Sequence, residues 1–189
     1  MPLLERESQL ASLRQYAAEA RRRDGRLVLV SGEAGVGKSA LVEELQGELT
    51  DATWVWGSCD GLFTPRPLAP LHDIARTVGG ELLQSMRDGS TRDEVFDATL
   101  RWLEDASDLV VLVVDDVQWA DDATLDLIRF LGRRVRALPV LLLVTFRDDA
   151  LAPSDPLRVA LGELSGLRYT RRIDLPPLTA AGVRRLAEG

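Results

Sequence analysis

Arg26-Leu27-Val28-Leu29-Val30-Ser31-Gly32-Glu33-Ala34-Gly35-Val36-Gly37-Lys38-Ser39-Ala40 decides the fold. Residues Arg26 to Val30 are a short apolar run, the mark of a strand buried on both faces of a parallel sheet. Gly32 to Ser39 then match G-x-x-x-x-G-K-[ST] at every fixed position. Glycines let such a backbone curl, so that successive N–H groups, expected from Gly35 to Ala40, point into one concavity around a β-phosphate. Helical periodicity resumes with Leu41, Leu45 and Leu49, and that helix adds its positive end. Lys38 reaches the β- and γ-phosphates as a mobile point charge, and Ser39 offers a hydroxyl to Mg²⁺. The predicted nucleotide cradle is therefore Gly32, Glu33, Ala34, Gly35, Val36, Gly37, Lys38, Ser39 and Ala40. A plain Gly-rich turn is the competing reading. A dinucleotide-binding G-x-G-x-x-G is set aside, because Gly35-Val36-Gly37 runs on into Lys38, Ser39 and Ala40.

Composition supports the weight placed on Lys38. Of 23 cationic side chains in the 189-residue chain, 22 are Arg and only Lys38 is Lys; there is no Asn. A planar Arg fork is a poor substitute for the point charge a phosphate loop needs, which accounts for the one Lys standing there. Apolar residues make up 46% and charged residues 28%, too apolar for a disordered chain. The net charge of −7 argues against this segment gripping nucleic-acid phosphates directly. No apolar run approaches the ~18 residues of a membrane span. The charged start, Glu5-Arg6-Glu7, offers no signal-peptide core. Cys59 and His72 are single, so neither an internal disulfide nor a Cys/His zinc site is available. A cytoplasmic location follows as the expectation.

Outward from the loop, helical patterns fall at 5–23, 40–49, 68–78, 92–106, 122–136 and 156–164, with a last helix from Thr179. Strand patterns fall at 26–30, 53–56, 109–114, 140–144 and 169–174. Strands alternating with helices predict one α/β domain: a parallel five-stranded sheet with helices on both faces. Leu109 to Val114 is the most apolar strand and delivers Asp115-Asp116 to the sheet edge where ligands bind in open α/β folds. Asp115 is read as a Mg²⁺ ligand through its water shell, and Asp116 as the group that polarises an attacking water. Side-chain alternation sends the two acids to different sides. The competing reading is a capped strand end. Val140 to Val144 repeats the arrangement and ends on Thr145-Phe146-Arg147. Thr145 or Arg147 is a candidate γ-phosphate sensor; a surface pair of Arg147 with Asp148 or Asp149 is the alternative.

These residues together resemble the ATPase domain of the signal-transduction ATPases with numerous domains, a class of AAA-related P-loop proteins. They are most similar to the large ATP-binding regulators of the LuxR family. Gly57-Ser58-Cys59-Asp60, Thr64-Pro65-Arg66-Pro67-Leu68-Ala69-Pro70-Leu71, Val113-Val114-Asp115-Asp116-Val117-Gln118-Trp119-Ala120-Asp121, Thr145-Phe146-Arg147 and Leu175-Pro176-Pro177-Leu178 carry the likeness in order. It implies a three-layer P-loop NTPase core over residues 1–178 that binds ATP or ADP with Mg²⁺. It also implies a slowly hydrolysing switch that works on the remaining domains of a regulator and self-associates with nucleotide. Residues 179–189 are the expected start of a lid helix, the rest of the lid being absent. Leu3-Leu4-Glu5-Arg6-Glu7 matches the family's adenine-side motif except that Glu5 stands where Gly is frequent.

Other residues carry less. Arg66 is held on a stiff loop between two prolines. Arg168, Arg171 and Arg172 flank the last strand, where oligomeric relatives place an arginine finger, and are read as solvated charges. Trp119 is expected in core packing, His72 on a helix surface and Cys59 as a small buried group. The rival functions are a P-loop kinase acting on a small molecule, a ring-forming motor and a nucleotide-retaining interaction module without turnover.

Overall fold

Side chains along the central strands alternate between two apolar clusters with a period of two, and that alternation sets the architecture. In β1 (Arg26–Ser31), β3 (Val110–Asp115) and β4 (Val140–Phe146), Val28, Val30, Val111, Val113, Leu141 and Leu143 enter one apolar cluster. Leu27, Leu29, Val110, Leu112, Val114, Val140, Leu142 and Val144 enter another on the opposite face. Every residue of these strands is buried, as expected of parallel strands covered on both sides. Burying each such side chain contributes about 2 kcal/mol.

The computed structural model describes residues 4–61, 66–149, 152 and 154–187. With β2 (Thr53–Ser58) and β5 (Thr170–Asp174), the strands form one parallel sheet in the order β2-β3-β4-β1-β5. Helices α1 (Glu7–Arg21) and α2 (Lys38–Glu48) cover the first face through Leu10, Leu13, Leu41 and Leu45. The second face is covered by α3 (Ala69–Val78), α4 (Gly80–Arg87), α5 (Arg92–Glu104), α6 (Asp122–Gly132) and α7 (Pro156–Ser165). Helix α8 (Ala180–Ala187) follows β5. This is the three-layer α/β P-loop arrangement expected from the alternating pattern. No helix among the described residues is long and apolar enough to cross a membrane.

Several boundaries differ from expectation. Helix α4 is an element the sequence pattern does not predict; it starts at Gly80, directly after Gly79, which caps α3, and both glycines have positive φ. Helix α1 starts at Glu7 because Glu5 takes φ 59° in the left-handed region. Helix α6 stops at Gly132, and 135–137 forms a separate 3-10 turn. Strand β4 runs on to Phe146, so Thr145 lies in the sheet. Leu3, Thr64, Pro65 and the end at Gly189, each used in the sequence reading, lie outside the described residues.

Candidate functional site

The phosphate loop needs its glycines. A Cβ on Gly32 would stand 2.8 Å from the Leu175 carbonyl oxygen, and Gly37 adopts φ 97° as the N-cap of α2, with no side chain capping that helix. The uncapped first turn leaves its amides for an anion, as a phosphate cradle requires. One amide of the predicted run is diverted: Val36 N–H turns to the Glu33 carbonyl at 3.4 Å.

Lys38 is 6% exposed, and its Nζ donates to the carbonyls of Gly32 and Glu33, each at 2.9 Å. The ammonium is thus folded across the mouth of its own loop. Burial pushes its pKa down and Arg147 adds to this, while Asp116 and Asp115 pull the other way. It makes no side-chain ion pair among the described residues, so its charge is available to a ligand.

Strand parity brings the acid side together. Asp115 continues the series Val111, Val113 and so points to the α2 face; Thr145 continues Leu141, Leu143 on the neighbouring strand. Ser39 Oγ donates to Asp115 Oδ2 at 2.9 Å, and Thr145 Oγ1 donates to Asp115 Oδ1. Asp115 is 7% exposed. Asp116 leaves the strand in the left-handed region at φ 57°, a conformation Asp tolerates better than most residues. Its N–H donates to Thr145 Oγ1 at 2.9 Å, and its Oδ1 accepts from Gln118 Nε2 at 2.9 Å. The two acids therefore have different environments. Ser39 hydroxyl and Asp115 carboxylate are hard oxygen donors in mutual contact, the chemistry Mg²⁺ takes when water and phosphate fill its remaining positions.

Arg147 does not pair with Asp148 or Asp149 among the described residues, which corrects that alternative. Its backbone N–H donates to Gln118 Oε1 at 3.0 Å, and its Nε is buried with no hydrogen-bond partner among the described residues. Trp119, expected in the core, is instead 47% exposed, with Gly61 against its ring. It walls a cavity of about 180 Å³ shared with Cys59, Asp60, Arg66, His72 and Asp121. His72 is accordingly half-buried in that wall, and burial with Arg66 and Arg76 nearby pushes its pKa down. Cys59 is buried as expected, and desolvation pushes its thiol up to about 12. Arg172 is not a free charge: Nε contacts Asp174 Oδ1 at 2.8 Å.

Sequence reasoning missed Arg6. It is 2% exposed and donates to the carbonyls of Glu5 (3.0 Å), Val36 (3.2 Å) and Pro176 (2.7 Å), tying the N-terminal segment, the phosphate loop and the exit of β5 together. Beside it, Glu5 accepts the Thr179 N–H at 2.8 Å, at the start of α8. Neither contact has a periodic signature; the only signal was the position of both residues within the N-terminal motif, which does not name their partners.

A buried Lys on a Gly-rich loop after β1, with the loop's Ser39 bonded to an acid at the end of β3, one strand removed in the same parallel sheet, defines an ATPase-type nucleotide-binding module. Residues 2–144 match the AAA ATPase domain family, and the chain belongs to that family. Among solved structures it is similar to Cdc6p from Pyrobaculum aerophilum, at TM-score 0.72 and 22% identity over 99% of this chain and 49% of that one. The Aeropyrum pernix ORC1 protein, solved in complex with DNA, gives TM-score 0.72 and 21% identity over 99% and 49%. A signal transduction ATPase with numerous domains carrying a tetratricopeptide repeat sensor, from Pyrococcus horikoshii, gives 0.55 and 19% over 93% and 24%. An uncharacterized protein of Rhizobium meliloti (strain 1021) is 24% identical over 86% of this chain and 20% of its own length. The chain thus spans a fifth of that curated relative and about half or less of these structures. At such identities the structures carry the fold alone.

Proposed function

We propose that the chain is the Mg²⁺–ATP-binding, slowly hydrolysing switch of a larger signal-transducing transcriptional regulator. Residues 1–178 form the ATPase core, and α8 is the first helix of a lid. The observation that carries this reading is the Ser39–Asp115 contact, which joins the phosphate loop to the acid strand.

In this reading Lys38 leaves the Gly32 and Glu33 carbonyls and takes the β- and γ-phosphate oxygens. The amides of Gly35, Gly37, Lys38, Ser39 and Ala40 neutralise the rest of the chain of phosphates. Ser39 and Asp115 would hold Mg²⁺, which when bound would supply positive charge against the triphosphate. Thr145 fixes Asp115 and the backbone of Asp116. Asp116 then orients a water and takes its proton as the water oxygen bonds to the γ-phosphorus. The bond to the β–γ bridging oxygen breaks, giving ADP and phosphate. In this reading Arg147, whose charge acts on Lys38, serves as the γ-phosphate sensor. Resemblance to the LuxR-type regulators supports the regulatory role, with DNA contact left to other domains and self-association governed by nucleotide.

Titration of ATP and ADP with a phosphate-release assay tests this. Lys38→Ala is expected to lose nucleotide binding by roughly 100-fold or more, and Asp116→Asn to keep binding and lose turnover. Parental affinity in Lys38→Ala overturns the site. Release of phosphate only when a small-molecule acceptor is added supports a kinase instead, and binding without any ADP supports an interaction module.

A further inference from the structure

Asp116 is held at two points by one strand end, and Gln118 makes the second hold. The first is main-chain: Asp116 N–H donates to Thr145 Oγ1 at 2.9 Å. The second is through the side-chain amide of Gln118, which donates to Asp116 Oδ1 at 2.9 Å and accepts the Arg147 N–H at 3.0 Å. The amide's orientation is dictated chemically. A backbone N–H can only donate, so the carbonyl oxygen must face Arg147, leaving the NH₂ for the carboxylate. Gln118 is half-buried in the 117–119 turn, whose backbone is closed by Trp119 N–H on the Asp116 carbonyl at 3.0 Å.

We infer that Gln118 is a positioning residue that couples the water-orienting acid to the γ-phosphate sensor. This rests on the reading of Asp116 and Arg147 given above. A neutral amide suits the task. It fixes the direction of the carboxylate through one hydrogen bond without placing a charge beside it, as Arg or Lys would. Because the same amide holds the Arg147 main chain, a shift of Arg147 on meeting a γ-phosphate is transmitted to the Asp116 carboxylate through two hydrogen bonds. The buried, unpartnered Arg147 Nε leaves that side chain free of competing hydrogen bonds among the described residues.

Two variants separate the two ends of the amide. Gln118→Met keeps length and loses both hydrogen bonds; Gln118→Glu keeps an acceptor for Arg147 N–H and loses the donor to Asp116. Gln118→Met is expected to lower kcat by roughly 10- to 100-fold with KM changed by less than about 3-fold, the cost of a misdirected base. It also lowers the preference for ATP over ADP by about 5-fold, a change of about 1 kcal/mol. Gln118→Glu is expected to lose turnover comparably while keeping the ATP preference. A purely structural role would instead lower the melting temperature and weaken both nucleotides alike.

Parental kcat in both variants overturns the coupling, as does an equal loss of ATP and ADP affinity. Asp116→Asn separates the two failures: if it retains turnover, the reading of Asp116 falls; if it loses turnover while the Gln118 variants do not, only the coupling falls. If the parent itself does not hydrolyse ATP, the switch reading falls and the ATP-over-ADP preference alone decides, an unchanged preference in Gln118→Met overturning the coupling.

Discussion

The phosphate loop is held from two sides by different chemistry. On the β3–β4 side, Ser39 and Thr145 donate their hydroxyls to the Asp115 carboxylate, and the Asp116 N–H donates to the Thr145 hydroxyl. On the β5 side, Arg6 grips main-chain carbonyls and Ser31 donates to Asp174, which also meets Arg172. The first side is built from groups that can exchange partners when a ligand arrives. The second consumes its donors internally and serves as scaffold. Variants on the scaffold side should therefore cost stability and weaken both nucleotides alike, whereas those on the acid side should cost turnover.

Arg6→Ala should have the largest effect on stability. It removes a buried guanidinium and leaves carbonyls of Val36 and Pro176 without that donor. The expected loss is about 3 kcal/mol, or about 6–12 °C in melting temperature for a chain of this size. A thermal melt checks it. An unchanged melting temperature would break the distinction, because Arg6 would then be no scaffold.

Thr145→Val comes next and tests the other side. The swap is close to isosteric but strips a hydroxyl that serves both acids. The expected stability cost is about 1–2 kcal/mol, with kcat down roughly 10-fold and ADP affinity nearly parental. Calorimetric titration beside single-turnover kinetics would show it; equal losses for ADP and turnover would mean that both sides act as scaffold. Asp115→Asn is expected to act through the metal. The gain in ATP affinity on adding Mg²⁺ should shrink by about 10-fold, while metal-free binding stays within about 3-fold.

The acid side was far more legible in the sequence than the scaffold side. Glycine spacing, a Lys where every other cation is Arg, and apolar strands ending in acids are local patterns. Parity along β3 and β4 then carries Asp115 and Thr145 to the same face with no further information. Arg6 reaches residues 30 and 170 positions away in sequence, and its partners are main-chain carbonyls, which any residue supplies. No pattern of side chains encodes such a contact. Trp119 failed for a related reason: an aromatic residue beside two acids reads as core, and only the 3-10 turn at 117–119, entered through Asp116 in a left-handed conformation, turns its ring outward. Helix α4 fell in the stretch between the patterns at 68–78 and 92–106, and it opens on Gly79-Gly80 at positive φ, a start that carries no helical signal of its own.

The smallest expected effect lies at Ser31 and Asp174 and depends on pH. The Ser31 hydroxyl, then Arg172, holds the Asp174 carboxyl below its ordinary value of 3.8. A carboxylate whose pKa is lowered by folding contributes stability that is complete above its unfolded value and is lost as pH falls through the folded one. Asp174 is largely exposed, so solvent screening keeps the contribution below about 1 kcal/mol. Ser31→Ala should accordingly be slightly less stable than the parent at pH 7, and urea titrations should find the gap between the two chains closing as the pH falls below 3.8 and on through the lowered folded-state pKa. Nucleotide affinity at pH 7 should change by less than about 3-fold, since the scaffold side meets no phosphate in this scheme. A gap in stability that persisted at low pH would place the role of Ser31 in packing rather than in its hydrogen bond. A large loss of ATP affinity would move Ser31 to the ligand-facing side and dissolve the division between the two.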